Sequence, residues 1–178
     1  MDGVASSRGN KTVQSNEAAN TILLLVDCEP DPRETTPGVP MPWSGFEGFH
    51  DFLSSWRGRI SEKTQSNASF AWFWRADPQI ELTYNDAGWP FRTYEKQIEQ
   101  SAKHGDAFGL HTHPWRWDSA VNRWIADFGN PQWVETCVRS SFDIFERYFG
   151  RPMSIVSIWR WLARQFHVRA HREIGRPD

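Results

Sequence analysis

The feature that most constrains this chain is an apolar run that breaks into acids. From Thr21 to Asp31 the sequence reads TILLLVDCEPD: apolar or β-branched residues through Val26, then Asp27, Cys28, Glu29, Pro30 and Asp31. An apolar run without polar alternation suits a strand buried on both faces. Alternate side chains of an extended chain share a face, so Asp27 and Glu29 point one way and Cys28 the other. Two carboxylates held that close repel unless a cation or a shared proton lies between them, which makes the pair a candidate metal or acid/base site. The plainer alternative is a solvated turn rich in acids and prolines.

A later stretch has the same construction. Ala107 to Trp117, AFGLHTHPWRW, is a short apolar run ending in His111 and His113, again two positions apart and on one face if extended. In a parallel α/β fold functional residues gather at the C-terminal ends of strands, so an acid-ended and an imidazole-ended strand converge on one rim. One carboxylate with two imidazoles is a common catalytic metal shell that keeps a position for water. Two unrelated histidines are the alternative. If the backbone stays extended through Pro114, His111, His113, Trp115 and Trp117 share a face, a metal beside a wall on which sugar rings stack. Plain core packing is the other reading of the two tryptophans.

The remainder of the chain fits an α/β rhythm. Ser44 is a candidate cap for a helix from about Gly45 to Trp56, with Phe46, Phe49, His50 and Leu53 on one side. Ala68 to Trp74, ASFAWFW, is the next buried strand, and Arg75, Asp77, Glu81 and Asp86 follow in a loop that either reaches the same rim or carries ordinary surface charges. Thr93 to His104 predicts a helix with Tyr94, Ile98 and Ala102 on one face and Gly105 ending it. Pro131 to Phe149 predicts another, with Val134, Val138, Phe142 and Phe145 as its stripe and Gly150 closing it. Five prolines between Pro30 and Pro42 fit a long loop over the rim. His50 reads as a packed core histidine and His104 as a helix-end charge. Asp106 and Asp118 flank the histidine strand, either orienting an imidazole or lying at the surface. Strand, helix, strand, helix, strand is the order of a parallel α/β barrel or open sheet. There is no internal repeat and no phosphate-binding glycine loop.

Composition sets the class. The chain's 178 residues are one domain's length, enough for a sizeable core. Its 11 tryptophans can pack that core or offer faces to sugars. A net charge of −2 gives no general case for nucleic-acid binding. The apolar run at Thr21 is too short to span a bilayer and follows no signal-type segment, so a cytoplasmic protein without a transmembrane segment is expected. Cys28 and Cys137 lack metal-type spacing and read as free thiols.

The pairing of VDCEPD with GLHTHPW resembles the polysaccharide deacetylase family, the chitooligosaccharide and peptidoglycan deacetylases of carbohydrate esterase family four, over roughly Thr21 to Pro152. Two positions differ from the family's usual form: Glu29 stands where Asp is usual, and the histidines are separated by one residue instead of three. The resemblance implies an incomplete (β/α) barrel and metal-dependent removal of an acetyl group from an N-acetylated sugar or polysaccharide. It further implies Asp27 as general base, Glu29 as metal carboxylate, His111 and His113 as metal imidazoles, and a divalent ion such as Zn2+. Such an ion lowers the pKa of its water and polarises the amide oxygen. Trp115 and Trp117 would then be the substrate wall. The later family motif that supplies an acid to the leaving amine has no clear counterpart.

Residues 1–20 are polar and aperiodic, a disordered tail by composition, and residues 21–152 form the deacetylase-like unit. Residues 153–178 stand apart: Gly150 to Asp178 carries six arginines against one Glu and one Asp. Two readings of this tail stand. As written it is a basic amphipathic helix that faces a partner or a membrane surface. Alternatively it is out of frame: back-translation from Ile155, shifted by one base, can give SFRSGDGWPGNSTFALIERSAAR, a strand end carrying an arginine motif. In that case the domain is truncated at its C-terminus and inactive or poorly folded. Beside the deacetylase reading stand a non-catalytic carbohydrate-binding remnant and a barrel amidohydrolase, whose His-x-His also ends a strand.

Overall fold

The computed structural model of the chain describes residues 24–150 and the backbone of 156–158. Four parallel strands make the main sheet: β1 (Leu25–Cys28), β2 (Ala71–Trp74), β3 (Ala107–Thr112) and β6 (Val156–Ile158), adjacent in that order. Between β1 and β2 runs α1 (Ser44–Thr64), and between β2 and β3 run α2 (Pro78–Tyr84), α3 (Trp89–Thr93) and α4 (Glu95–Lys103). An antiparallel ribbon, β4 (Trp115–Asp118) and β5 (Arg123–Ala126), then precedes α5 (Pro131–Phe149). The protein is thus α/β with a parallel sheet, as its order of elements predicts. The expected disordered tail and residues 21–23 lie outside the described residues, as does the tail beyond Ile158. At 156–158 the backbone pairs with β3, so the basic helix expected from Ile155 does not begin there.

The sheet has two unlike faces. Val26 and Cys28, Trp72 and Trp74, and Phe108 and Leu110 belong to one apolar core with residues of α1, α2, α3, α4 and α5. Both cysteines are buried free thiols, and burial pushes the Cys137 thiol up to about 12. The register sets Asp27 beside Phe73 and Phe73 beside Gly109 on the opposite face. Two residues further on, that face delivers Glu29, Arg75 and His111 to one level of the rim. The Arg75 N–H donates to the Cys28 carbonyl at 3.2 Å and extends the ladder there.

Three of the described tryptophans belong to this core, and a fourth, Trp89, packs against it. Trp43, Trp72 and Trp74 are fully buried, and Phe46 packs edge-on against all three at 4.8–6.3 Å between centroids. Each such ring removes on the order of 150–250 Å² from water, or about 4–6 kcal/mol at 25 cal/mol per Å². That burial offsets the cost of ordering a short, four-residue β2 whose every side chain is inside. His50 lies in the same core, 5.3 Å from the Trp72 ring.

Several local expectations shift. α1 runs to Thr64, and its first N–H groups are capped by Asp31, not Ser44: the Asp31 carboxylate accepts from Ser44 N at 3.1 Å and Gly45 N at 2.7 Å. Phe49 is 39 % exposed, off the buried side of α1. The helix expected over Thr93 to His104 is broken at Tyr94, whose φ of −108° is not helical, and Ala102 yields its buried position to Ser101. Residues 78–84, expected as loop, form α2, with Asp77 capping it and Pro78 in the first turn. In α5 the buried stripe is Val134, Cys137, Ser141 and Phe145, so Val138 and Phe142 sit at its edge. Asp106 and Asp118 orient no imidazole. Asp106 binds Arg57 at the other end of the sheet, and Asp118 accepts from Ala120 N in the ribbon's turn.

Candidate metal centre

Three consecutive strands end in pairs of polar side chains two positions apart: Asp27 and Glu29 at the end of β1, Arg75 and Asp77 after β2, His111 and His113 at the end of β3. The structure brings Glu29, His111 and His113 together, with one ligand atom of each within 4.8 Å of the others. The two Nε2 atoms are 2.9 Å apart, and Glu29 Oε2 lies 3.8 Å from that of His111 and 3.7 Å from that of His113. Ligand atoms about 2.1 Å from a tetrahedral ion lie about 3.4 Å from one another. The three separations straddle that value, so the donor set fits one small cation.

Protonation favours the same conclusion. Burial holds both imidazoles below the ordinary histidine value. At His111 the Asp27 and Glu29 carboxylates pull upward and Arg75 adds to the lowering; at His113 the Arg75 charge reinforces burial. Both rings are therefore neutral, the form that ligates a metal. Two neutral Nε2 atoms face to face leave one lone pair opposed to the other unless one nitrogen carries a proton or a cation lies between them. Asp27 Oδ1 stands 3.6 Å from His111 Nδ1, and its side chain is 49 % exposed.

Beneath the cluster sits a second group of residues. The fully buried Asp77 accepts from Arg75 Nε at 2.5 Å, Arg75 Nη2 at 2.9 Å, the His113 backbone N at 2.9 Å and two N–H groups of the first turn of α2. Arg75 Nη2 also donates to Gln79 Oε1 at 2.6 Å, and Nη1 to Glu29 Oε2 at 3.3 Å. Of the four charges after β2 with two readings, Arg75 and Asp77 do reach the rim, in a buried ion pair that the sequence does not specify. The sequence carries a signal for their position: the apolar run ASFAWFW ends in polar residues two apart, as the other two strands do, and Asp-Pro marks a helix start.

The tryptophans do not form one open wall. β3 ends at Thr112 and the chain turns at Pro114, so Trp115 and Trp117 lie on β4. Trp115 is 5 % exposed, stacked on His113 at 5.8 Å, with Arg33 Cζ 5.3 Å from its ring. It buttresses an imidazole. Trp117 is half-buried and packs edge-on against Trp124 across the ribbon. The proline-rich loop is fastened beside the rim: Trp124 Nε1 donates to Thr35 O at 2.6 Å, and Gly38 N to Leu82 O at 2.8 Å.

Comparison with protein-family models, with curated proteins and with solved structures finds no match. Among the described residues no helix is long and apolar enough to cross a membrane.

Proposed function

We propose that this chain is a metal-dependent hydrolase of the polysaccharide deacetylase type, acting on the acetamido group of an N-acetylated sugar. The observation that carries the reading is the meeting of Glu29 Oε2, His111 Nε2 and His113 Nε2 at the ends of two core strands. The adjacent order of β1, β2, β3 and β6, all parallel, supports an incomplete (β/α) barrel, because a barrel adds its strands in sequence.

Glu29, His111 and His113 would hold the ion, Zn2+ by the chemistry of the donor set. When bound, the ion polarises the amide oxygen and lowers the pKa of water. The chain's own residues supply the base and hold the ligands in place. Asp27, half-exposed at the rim, takes the proton of the attacking water at a carboxylate oxygen. Asp77 fixes the backbone of His113, and Trp115 fixes its ring. Trp117, on the ribbon beyond, is the remaining indole of the pair able to offer part of its surface to a sugar ring.

The test is metal content after purification together with acetate release from N-acetylglucosamine oligomers. One zinc per chain and acetate release that stops in Asp27→Asn support the reading. Oligomer binding without metal or acetate would leave a carbohydrate-binding remnant instead.

A further inference from the structure

We infer that Arg75 is a positioning residue that holds Glu29 against the two imidazoles, an inference that rests on the metal reading above. A buried guanidinium is costly, and a partner carboxylate alone is enough to compensate its charge. Arg75 is 1 % exposed and already makes a two-pronged pair with Asp77 through Nε and Nη2. Its other prong, Nη1, is not spent on structure. It reaches Glu29 Oε2, the same oxygen that faces His111 Nε2 and His113 Nε2.

Glu29 needs such a hold. It lies beyond the end of β1, its side chain is 36 % exposed, and among the described residues Arg75 is the one group that hydrogen-bonds its carboxylate. A flexible glutamate left to itself samples several rotamers, few of which bring an oxygen to the imidazoles. Arg75 cannot drift, because Asp77, the cap of α2, and Gln79 in its first turn clamp it. Asp77 also holds the backbone of His113. One ion pair therefore registers the ligand of β1 against those of β3, with β2 as the fixed member between them. The planar fork of arginine suits this task, since it can grip two carboxylates in a set direction where a lysine presents a single rotating point charge.

The alternative is that Arg75 only stabilises the start of α2. The two are separated by a double-mutant cycle of Arg75→Lys with Glu29→Gln on the full chain. Zinc affinity is measured by chelator competition at a temperature where circular dichroism shows each variant folded. A positioning role predicts that Arg75→Lys weakens zinc binding by about 10- to 100-fold when Glu29 is present, and by less than about twofold in the Glu29→Gln background, where there is no charged ligand to position. Equal losses in both backgrounds, or none in either, overturn it, because a structural role lowers the melting temperature without this coupling. Arg75→Gln, which keeps a donor to Asp77 in a smaller side chain, is read the same way should the lysine variant not fold. Wild-type protein that takes up no zinc overturns the metal reading as well, whereas zinc uptake without coupling overturns this inference alone.

Discussion

Arg57–Asp106 and Arg75–Asp77 are the same kind of buried ion pair at opposite ends of one sheet. At the N-terminal end Asp106 takes Arg57 Nη1 at 2.8 Å and Nη2 at 2.7 Å, Trp72 Nε1 at 2.8 Å and Phe70 N at 3.0 Å, while the Phe70 ring covers the guanidinium at 4.4 Å. Arg57 Nη1 also donates to Ala68 O at 2.6 Å, so the guanidinium points only at structure. At the C-terminal end Asp77 is as fully engaged, yet its arginine reaches a glutamate, and two neutral imidazoles turn their Nε2 atoms toward that glutamate. The pair itself does not distinguish a staple from a functional site. What distinguishes them is whether the neighbours' ligand atoms are used up or left facing one another.

The largest expected effect belongs to the staple. Asp106→Ala strands the Arg57 guanidinium and frees Phe70 N and Trp72 Nε1, so it should cost about 3–5 kcal/mol of stability, read as a lower urea midpoint. Zinc uptake per folded molecule should be unchanged. Loss of zinc binding in the folded variant would show that the two ends are not independent. The reverse experiment is His113→Gln. Wild-type protein in zinc at 100 times its dissociation constant should gain about 2.7 kcal/mol over the metal-free form, and the variant should gain almost none. An undiminished gain would remove His113 from the ligand set.

Acid separates the two ends more finely. Burial raises the Asp106 carboxyl, but hydrogen bonds from Arg57, Trp72 and Phe70 N outweigh it and hold the group below the usual aspartate value. A depressed folded-state pKa contributes stability that is present above the unfolded value, about 3.9, and lost as pH falls through that value toward the folded one. The stability gap between wild type and Asp106→Asn should therefore be wide at about pH 6 and narrow at about pH 3. A gap that stayed constant across that range would mean that Asp106 is not held ionised by its partners.

The sequence made some of this contrast legible and hid the rest. Glu29, His111 and His113 could be read because each ends an apolar run, and a parallel sheet sends such ends to one rim. The face shared by Asp27 and Glu29, opposite Cys28, followed from strand alternation alone. Arg75 and Asp77 follow an apolar run in the same way, but a charged pair of opposite sign looks like solvated loop until the fold buries it. Pro114 carried the warning that β3 would not continue, and it separated Trp115 and Trp117 from the extended array expected of them. Asp106 and Asp31 were beyond reach for another reason. Their partners, Arg57 and the start of α1, are distant in sequence, and no local period records a contact of that kind.

Asp31 gives the smallest effect and the sharpest control. It belongs to the same acidic cluster as Asp27 and Glu29, so a rim that bound metal by its general negative charge would enlist it too. Its carboxylate instead spans from the loop to Ser44 N and Gly45 N, replacing the side-chain cap that Trp43 cannot supply. Asp31→Ala should cost about 1 kcal/mol, the value of one helix cap, and should leave zinc affinity within about twofold, since a charge facing solvent at the rim is screened. Equal weakening of zinc binding in Asp31→Ala and Glu29→Gln would mean that diffuse acidity holds the ion, and the directed triad of Glu29, His111 and His113 would lose its meaning. A stability cost with no change in affinity would set a purely structural acid beside Glu29 on the same loop.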